Sequence, residues 1–126
     1  MKLYFVANEC LASALKDALT HYFDQPDVTA IDFIQPYYER SVRQLAAALS
    51  RDLRKNPDEH FIFLTDTFGS TADHEVRLLL ARSGLAERSV VVSGMNLPLA
   101  IKYYGLAGSF SFEMIHDLAE DAQQAG

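Results

Sequence analysis

The sequence predicts an α/β fold, a three-layer, doubly wound domain around a mainly parallel four-stranded sheet. Short apolar runs of strand length alternate along the chain with longer segments whose apolar residues recur at helical spacing. This alternation is typical of β-α-β units, whose crossovers place helices on both faces of a parallel sheet. The length of 126 residues favours a single domain, 1–126, with a sizeable core.

The first half of the chain is predicted to supply two strands, over residues 2–6 and 28–34, and a helix over residues 10–23. A second helix follows a break at residues 35–38, and one of its faces is marked by Val42, Leu45, Ala46, Leu49 and Leu53. Asn8 is a candidate N-cap of the first helix, and Glu9 lies beside the positive end of that helix's dipole. The second helix is expected to end before Pro57, because the residue before a proline disfavours helical backbone.

The second half is predicted to supply two strands, over residues 60–65 and 89–92, and three helices, over residues 72–81, 97–104 and 112–122. Residues 105–108 are read as an interruption between the last two helices. Parallel strands end along one edge of a sheet, so Asn8, Asp66 and Ser93 are expected to converge there.

Composition narrows the classes of function. The net charge is −6, from 11 basic and 17 acidic residues, and the basic residues are scattered along the sequence, which argues against a nucleic-acid-binding face. No apolar run is long enough to cross a bilayer and no basic amphipathic stretch is present, so direct membrane insertion is not expected. The single cysteine, Cys10, cannot form an internal disulfide and fits a reducing, cytoplasmic compartment.

The stretch from Thr65 to Thr71 is the strongest candidate for chemistry. Asp66 ends an apolar strand and is followed by a turn that contains Gly69 and Ser70 and leads into a helix. Ligands of open α/β sheets bind at this edge, and helix amino ends favour anions. The same residue types are also ordinary turn and N-cap material. The segment taken alone is therefore a weak signal.

A second motif, Gly-x-Asn-Leu-Pro at residues 94–98, gives that segment a context. Together with residues 61–71, and over nearly the whole chain, it resembles the mannose-type IIA component of the bacterial phosphoenolpyruvate-dependent sugar phosphotransferase system. The resemblance implies a doubly wound α/β homodimer in which an antiparallel edge strand can be exchanged between subunits. It implies a histidine that takes a phosphoryl group from the phosphocarrier protein and passes it to a IIB component. We further expect a cytoplasmic protein, peripheral to a membrane permease complex, that uses no cofactor or metal.

The resemblance also places residues at the family's reactive positions. Asn8 stands where the phosphohistidine belongs, and Glu9 where the family has glycine. Asp66 stands where a carboxylate orients the imidazole, and we expect it to hydrogen-bond the Asn8 amide or to cap a helix. An amide nitrogen cannot replace imidazole as an acceptor, because its lone pair is delocalised. The Glu9 carboxylate would oppose a phosphoryl group at ~4 Å by about 4 kcal/mol per charge pair.

The phosphate-binding turn and its surroundings complete the candidate site. The resemblance assigns phosphate binding to Gly69, Ser70 and Thr71, with Ser70 replacing a family glycine and Ala72 a family proline. The other pocket residues are expected to be Glu9, Phe68, His74, Ser93 and Asn96.

Three functions remain open. The first is a IIA homologue degenerate at the phosphohistidine, acting as a regulatory or partner-binding subunit. The second is an active phosphotransferase that uses His74, although an exposed first-turn histidine is the commoner explanation. The third is a receiver-like domain phosphorylated on Asp66, with Lys102 nearby. Receivers need an acidic pair for Mg²⁺, and Asn8-Glu9 supplies one carboxylate.

Six aromatic residues in regions expected near loops or edges are compatible with a dimer interface or with capping of the core: Tyr37, Tyr38, Tyr103, Tyr104, Phe110 and Phe112.

Overall fold

The computed structural model describes the backbone of residues 1–125 and the side chains of residues 1–121. Its elements are β1 (Lys2–Asn8), α1 (Leu11–Leu19), β2 (Val28–Phe33), α2 (Tyr38–Lys55), β3 (Phe61–Thr65), α3 (Thr71–Arg82), β4 (Ser89–Val92), α4 (Leu97–Ser109) and α5 (Phe112–Ala125), with a short 3-10 helix at Ala86–Arg88. The predicted α/β fold is confirmed.

The sheet has the order β2-β1-β3-β4, and every pair of neighbouring strands is parallel. The inner strands are apolar on both faces, as expected where helices cover both sides, and all five residues of β3 are buried. No antiparallel strand occurs within residues 1–125. The exchange of an edge strand between subunits stays a prediction.

Two apolar cores, one on each face of the sheet, give the three layers. Phe5 and Ile62 point towards α1, α4 and α5, where Tyr103 is buried. Phe63 and its neighbours point towards α2 and α3. In this second core the buried Tyr4 hydroxyl donates a hydrogen bond to the buried Asp52 carboxylate of α2.

Some local expectations were wrong. Helix α1 ends at Leu19 rather than near Phe23, and α2 already begins at Tyr38, which was expected in the break before it. Helix α4 continues through residues 105–108 to Ser109, because its buried face overrides the low helix propensity of two glycines. Asn8 does not cap α1: it ends β1, and Cys10 occupies the N-cap position without a side-chain hydrogen bond.

Surface features also become clear. Five of the 11 basic residues lie on α2, so the basic residues are less scattered than the whole-chain view suggested. Tyr103 and Phe112 belong to the core, whereas Tyr37 and Phe110 are 56% and 43% exposed.

Within the part of the chain that the structure describes, no helix has both the length and the apolar character that crossing a bilayer requires.

Candidate functional site

The carboxyl ends of β1 and β3 bring Asn8 and Asp66 together, 58 positions apart in sequence. Asp66 Oδ2 accepts a hydrogen bond of 2.9 Å from the backbone N–H of Asn8, and Oδ1 accepts one of 2.6 Å from the Ser70 hydroxyl. The expected bond between Asp66 and Asn8 is present, but its donor is the main chain. Both carboxylate oxygens are therefore engaged within the protein.

The Asn8 side chain is directed at the start of α3. Its Oδ1 accepts a hydrogen bond of 3.1 Å from the backbone N–H of Ala72. Ser70, the N-cap of α3, accepts one of 3.1 Å at Oγ from the N–H of Asp73. Helix amino ends carry unpaired donors, and here two of the first three are satisfied by side chains. Of these three amides, that of Thr71 has no acceptor among the described residues.

Left-handed backbone shapes both sides of the site. Gly69 has φ 84° in the turn before α3, and Gly94 has φ 88° where its N–H donates to the Asp66 carbonyl oxygen at 2.8 Å. Glu9 is exposed and has φ 59°, a conformation that glycine adopts at no steric cost. This backbone agrees with the glycine that the family resemblance expects at position 9.

A buried ionic network lies beneath the turn, and sequence reasoning missed it. Asp73 is 1% exposed. Its Oδ1 accepts from the hydroxyls of Thr65 at 2.6 Å and Ser93 at 2.8 Å, and its Oδ2 accepts from the Gly69 N–H at 3.0 Å and the Arg77 Nε at 3.1 Å. Burial alone raises the pKa of this carboxyl, but the hydrogen bonds from Arg77, Thr65, Gly69 and Ser93 together lower the pKa below its ordinary value.

The network also connects Ser93, after β4, to Phe68 in the turn before α3. Arg77 also donates from Nη2 to Ser93 Oγ at 3.1 Å, and its guanidinium lies 5.2 Å from the centre of the Phe68 ring. Phe68 itself is 80% exposed. The one sequence signal for this network is the Asp-to-Arg spacing of four residues, which joins side chains on one helix face.

Two predicted pocket residues are less closely connected to Asp66. His74 is exposed in the first turn of α3, and its imidazole makes no hydrogen bond or ion pair with the residues whose side chains are described. Asn96 is the N-cap of α4, where its Oδ1 accepts from the Leu99 N–H at 2.8 Å. Lys102, named in the receiver hypothesis, is exposed, and its ammonium lies 5.9 Å from the Tyr103 ring.

Residues 8–122 match the family described as PTS system fructose IIA component. The chain belongs to this IIA family. Two solved structures share the fold. A phosphotransferase system component EIIA from Streptococcus agalactiae is 23% identical, with 99% of this chain and 93% of that chain covered and a TM-score of 0.74. A sigma-54 interaction domain protein from Enterococcus faecalis is 12% identical, with 99% and 91% covered and a TM-score of 0.72. No curated protein has a significantly similar sequence.

Membership of the IIA family implies a phosphotransferase-system function and interaction with other components of that system. The carboxyl edge of the sheet, with Asp66 and the α3 amino end, is the candidate place for that function. Apart from this edge, His116, Asp117 and Glu120 of α5 bring possible metal-ligating atoms within 4.8 Å of one another. The last two are exposed, and exposed acidic groups of this kind are common without a metal.

Proposed function

We propose that this chain is a IIA-like subunit of a sugar phosphotransferase system that binds its partners but does not carry a phosphoryl group. The observation that carries the proposal is the hydrogen bond from the Ala72 N–H to Asn8 Oδ1. The residue at the end of β1 acts there as a neutral cap on α3. A phosphoryl acceptor at that position needs a nucleophilic ring nitrogen.

The arrangement around Asp66 supports the same conclusion. An orienting carboxylate accepts a hydrogen bond from a ring N–H of the acceptor, and Asn8 offers no ring at position 8. Here one oxygen accepts from the Asn8 main chain and the other from the Ser70 hydroxyl. Asp66 therefore ties β1 to the turn before α3, a structural role that needs no phosphoryl acceptor at position 8.

Anion binding at the amino end of α3 is also opposed. The Ala72 and Asp73 amides already donate to Asn8 and Ser70, and the Gly69 amide donates to Asp73. An incoming phosphoryl group would have to displace these acceptors, and among the described residues of this turn it would find the Thr71 amide and hydroxyl unengaged. The Glu9 carboxylate adds repulsion at the same edge.

The family suggests the partners. We propose binding to the phosphocarrier protein and to a IIB component, as a homodimer of single-domain chains in the cytoplasm, peripheral to a membrane permease complex. A regulatory role agrees with the occurrence of the same fold in a sigma-54 interaction domain protein.

A second candidate function is phosphoryl transfer through His74. Its exposed, unpaired imidazole in the first turn of α3 favours this alternative over the receiver-like one. Phosphorylation of Asp66 would use one of its two hydrogen-bonded oxygens, and Glu9 is the one carboxylate that follows β1 directly where a receiver needs an acidic pair.

A relay assay distinguishes these functions. The chain is incubated with phosphoenolpyruvate, enzyme I, the phosphocarrier protein and an active IIA domain. We expect no label on the chain and slower labelling of the active domain, because the chain competes for the phosphocarrier protein. Stoichiometric acid-labile label that disappears in His74→Ala would establish the second function. Absence of both label and competition would refute the partner-binding role.

A further inference from the structure

Helix α2 carries a concentrated positive charge in a protein of net charge −6. Its basic residues are all exposed: Arg40, Arg43, Arg51, Arg54 and Lys55. Of its two acidic residues, Asp52 is buried and accepts a hydrogen bond from the Tyr4 hydroxyl, so Glu39 is the only exposed carboxylate of α2. The exposed face of α2 is therefore strongly basic.

Among the residues whose side chains the structure describes, these cations have no ionic partner. Arg40 lies 5.0 Å from the centre of the Tyr37 ring. The side chains of Arg43, Arg51, Arg54 and Lys55 form no ion pair or hydrogen bond with the residues whose side chains the structure describes. Unpaired arginines on one helix face are available to carboxylates of another molecule.

Two of the arginines flank an open groove. The groove has a volume of about 560 Å³ and lies between β2 and α2, with Thr29, Ala30 and Ile31 on one side and Gln44, Ala47, Ala48, Arg51 and Arg54 on the other. Within residues 1–125, β2 pairs with β1 and with no other strand. The groove thus combines the outer edge of a strand, two small alanine side chains and two cations.

We propose that this groove binds an extended acidic segment of a partner polypeptide, which adds to the sheet as a strand beside β2. An edge strand offers main-chain donors and acceptors that a partner strand can pair with. Alternate side chains of the added strand face α2, about 6.5 Å apart. Arg51 and Arg54 are three residues apart on a helix, a separation of about 5–6 Å between Cβ atoms.

This match in spacing defines the chemistry of the partner segment. Carboxylates at alternate positions, as in Glu-x-Glu, would each reach one arginine, and a small apolar residue on the same face would pack on Ala47. The phosphate groups of a polynucleotide would also be attracted to these arginines. The polynucleotide would not form the regular main-chain ladder that the strand edge offers to a polypeptide, however.

The test uses a fluorescein-labelled peptide of alternating glutamate and valine, titrated with the full chain and followed by fluorescence anisotropy. We expect binding that weakens as salt increases. It should weaken at least tenfold in the double variant Arg51→Gln, Arg54→Gln. Arg82→Gln, an exposed arginine at the end of α3, is the matched control and should bind as the wild type does.

Two further probes separate strand addition from simple charge attraction. The same peptide with N-methyl groups on alternate residues keeps its charge but cannot donate to β2, and its binding should be lost. A peptide with glutamate and valine in separate blocks should bind at least tenfold more weakly. Equal binding of either probe, tighter binding of a single-stranded oligonucleotide, or no binding of the alternating peptide would overturn the proposal.

Discussion

Replacing Asp73 should destabilise the protein more than replacing Glu75, the other carboxylate of α3, which is only partly buried. Four donors, two hydroxyls and two N–H groups, point at its buried oxygens. In Asp73→Ala, the Gly69 N–H loses its acceptor and the Arg77 guanidinium loses its counter-ion. Leaving a buried donor unpaired costs about 1–3 kcal/mol, and breaking a buried pair costs about 3–5 kcal/mol. Because Arg77 is partly exposed, we expect a total loss of about 3–4 kcal/mol.

Asp73→Asn should cost less, about 2 kcal/mol, because it loses charge-assisted bonds but keeps the shape. The amide oxygen can accept from the Gly69 and Arg77 N–H groups, while the amide NH₂ faces the Thr65 and Ser93 hydroxyls, which can accept. The order of stability should be wild type, then Asn, then Ala. Urea denaturation followed by circular dichroism measures it.

The pH dependence provides an independent check of the same network. The pKa of Asp73 in the folded protein is below its ordinary value of 3.8. Its contribution to stability is therefore fully present above that value and is lost as the pH falls below it. Asp73→Asn should remove this part of the acid sensitivity.

Glu75→Gln on the same helix is the control and should change stability by less than about 0.5 kcal/mol. A loss below about 1 kcal/mol in Asp73→Ala, or unchanged acid sensitivity in Asp73→Asn, would refute the network as an energetic feature.

Further predictions concern the left-handed residues and the buried tyrosine. Glu9→Gly should raise the free energy of unfolding by about 0.5–1 kcal/mol, because φ 59° is strained for glutamate. Gly69→Ala should lower the free energy of unfolding by about 1–2 kcal/mol. Gly105→Ala, in a helix with open space around the new Cβ, should be neutral or stabilising. Thermal melts of the three variants show whether each one raises or lowers the melting temperature. Tyr4→Phe should cost about 1–3 kcal/mol by leaving the buried Asp52 without its donor. Burial, followed by the neighbouring Asp52, raises the pKa of Tyr4 above its ordinary value of 10.0, so wild-type stability should fall as the pH rises above that value, and less so in Tyr4→Phe.

The fold could be predicted from the sequence because the apolar pattern of each segment shows which of its faces are buried. The run Phe61–Leu64 is apolar at every position, as an inner parallel strand requires, and the helical segments are apolar on one face. The meeting of Asn8 and Asp66 followed from the rule that parallel strands end at one edge. Helix α4 was misjudged because glycine propensity is local, whereas the packing of Tyr103 that maintains the helix is not.

The details of the site depend on distant contacts that no local pattern contains. Asn8 caps α3 rather than α1 because the fold brings it next to Ala72, which is 64 positions away in sequence. An aspartate in the first turn of a helix, such as Asp73, is typically exposed to solvent and interacts with the positive end of the helix dipole. Only the packing of Thr65 and Ser93 against Asp73 makes it a buried ion.

The most direct test of the central claim compares phosphorylation of the wild type with that of Asn8→His combined with Glu9→Gly. Both proteins are incubated with phosphoenolpyruvate, enzyme I and the phosphocarrier protein, and intact mass is measured at neutral pH before and after acid treatment. We expect no added phosphoryl group on the wild type and one acid-labile group on the double variant, because a histidine at the end of β1 would face Asp66 and the amino end of α3. An acid-labile phosphoryl group on the wild type at full stoichiometry would contradict the account.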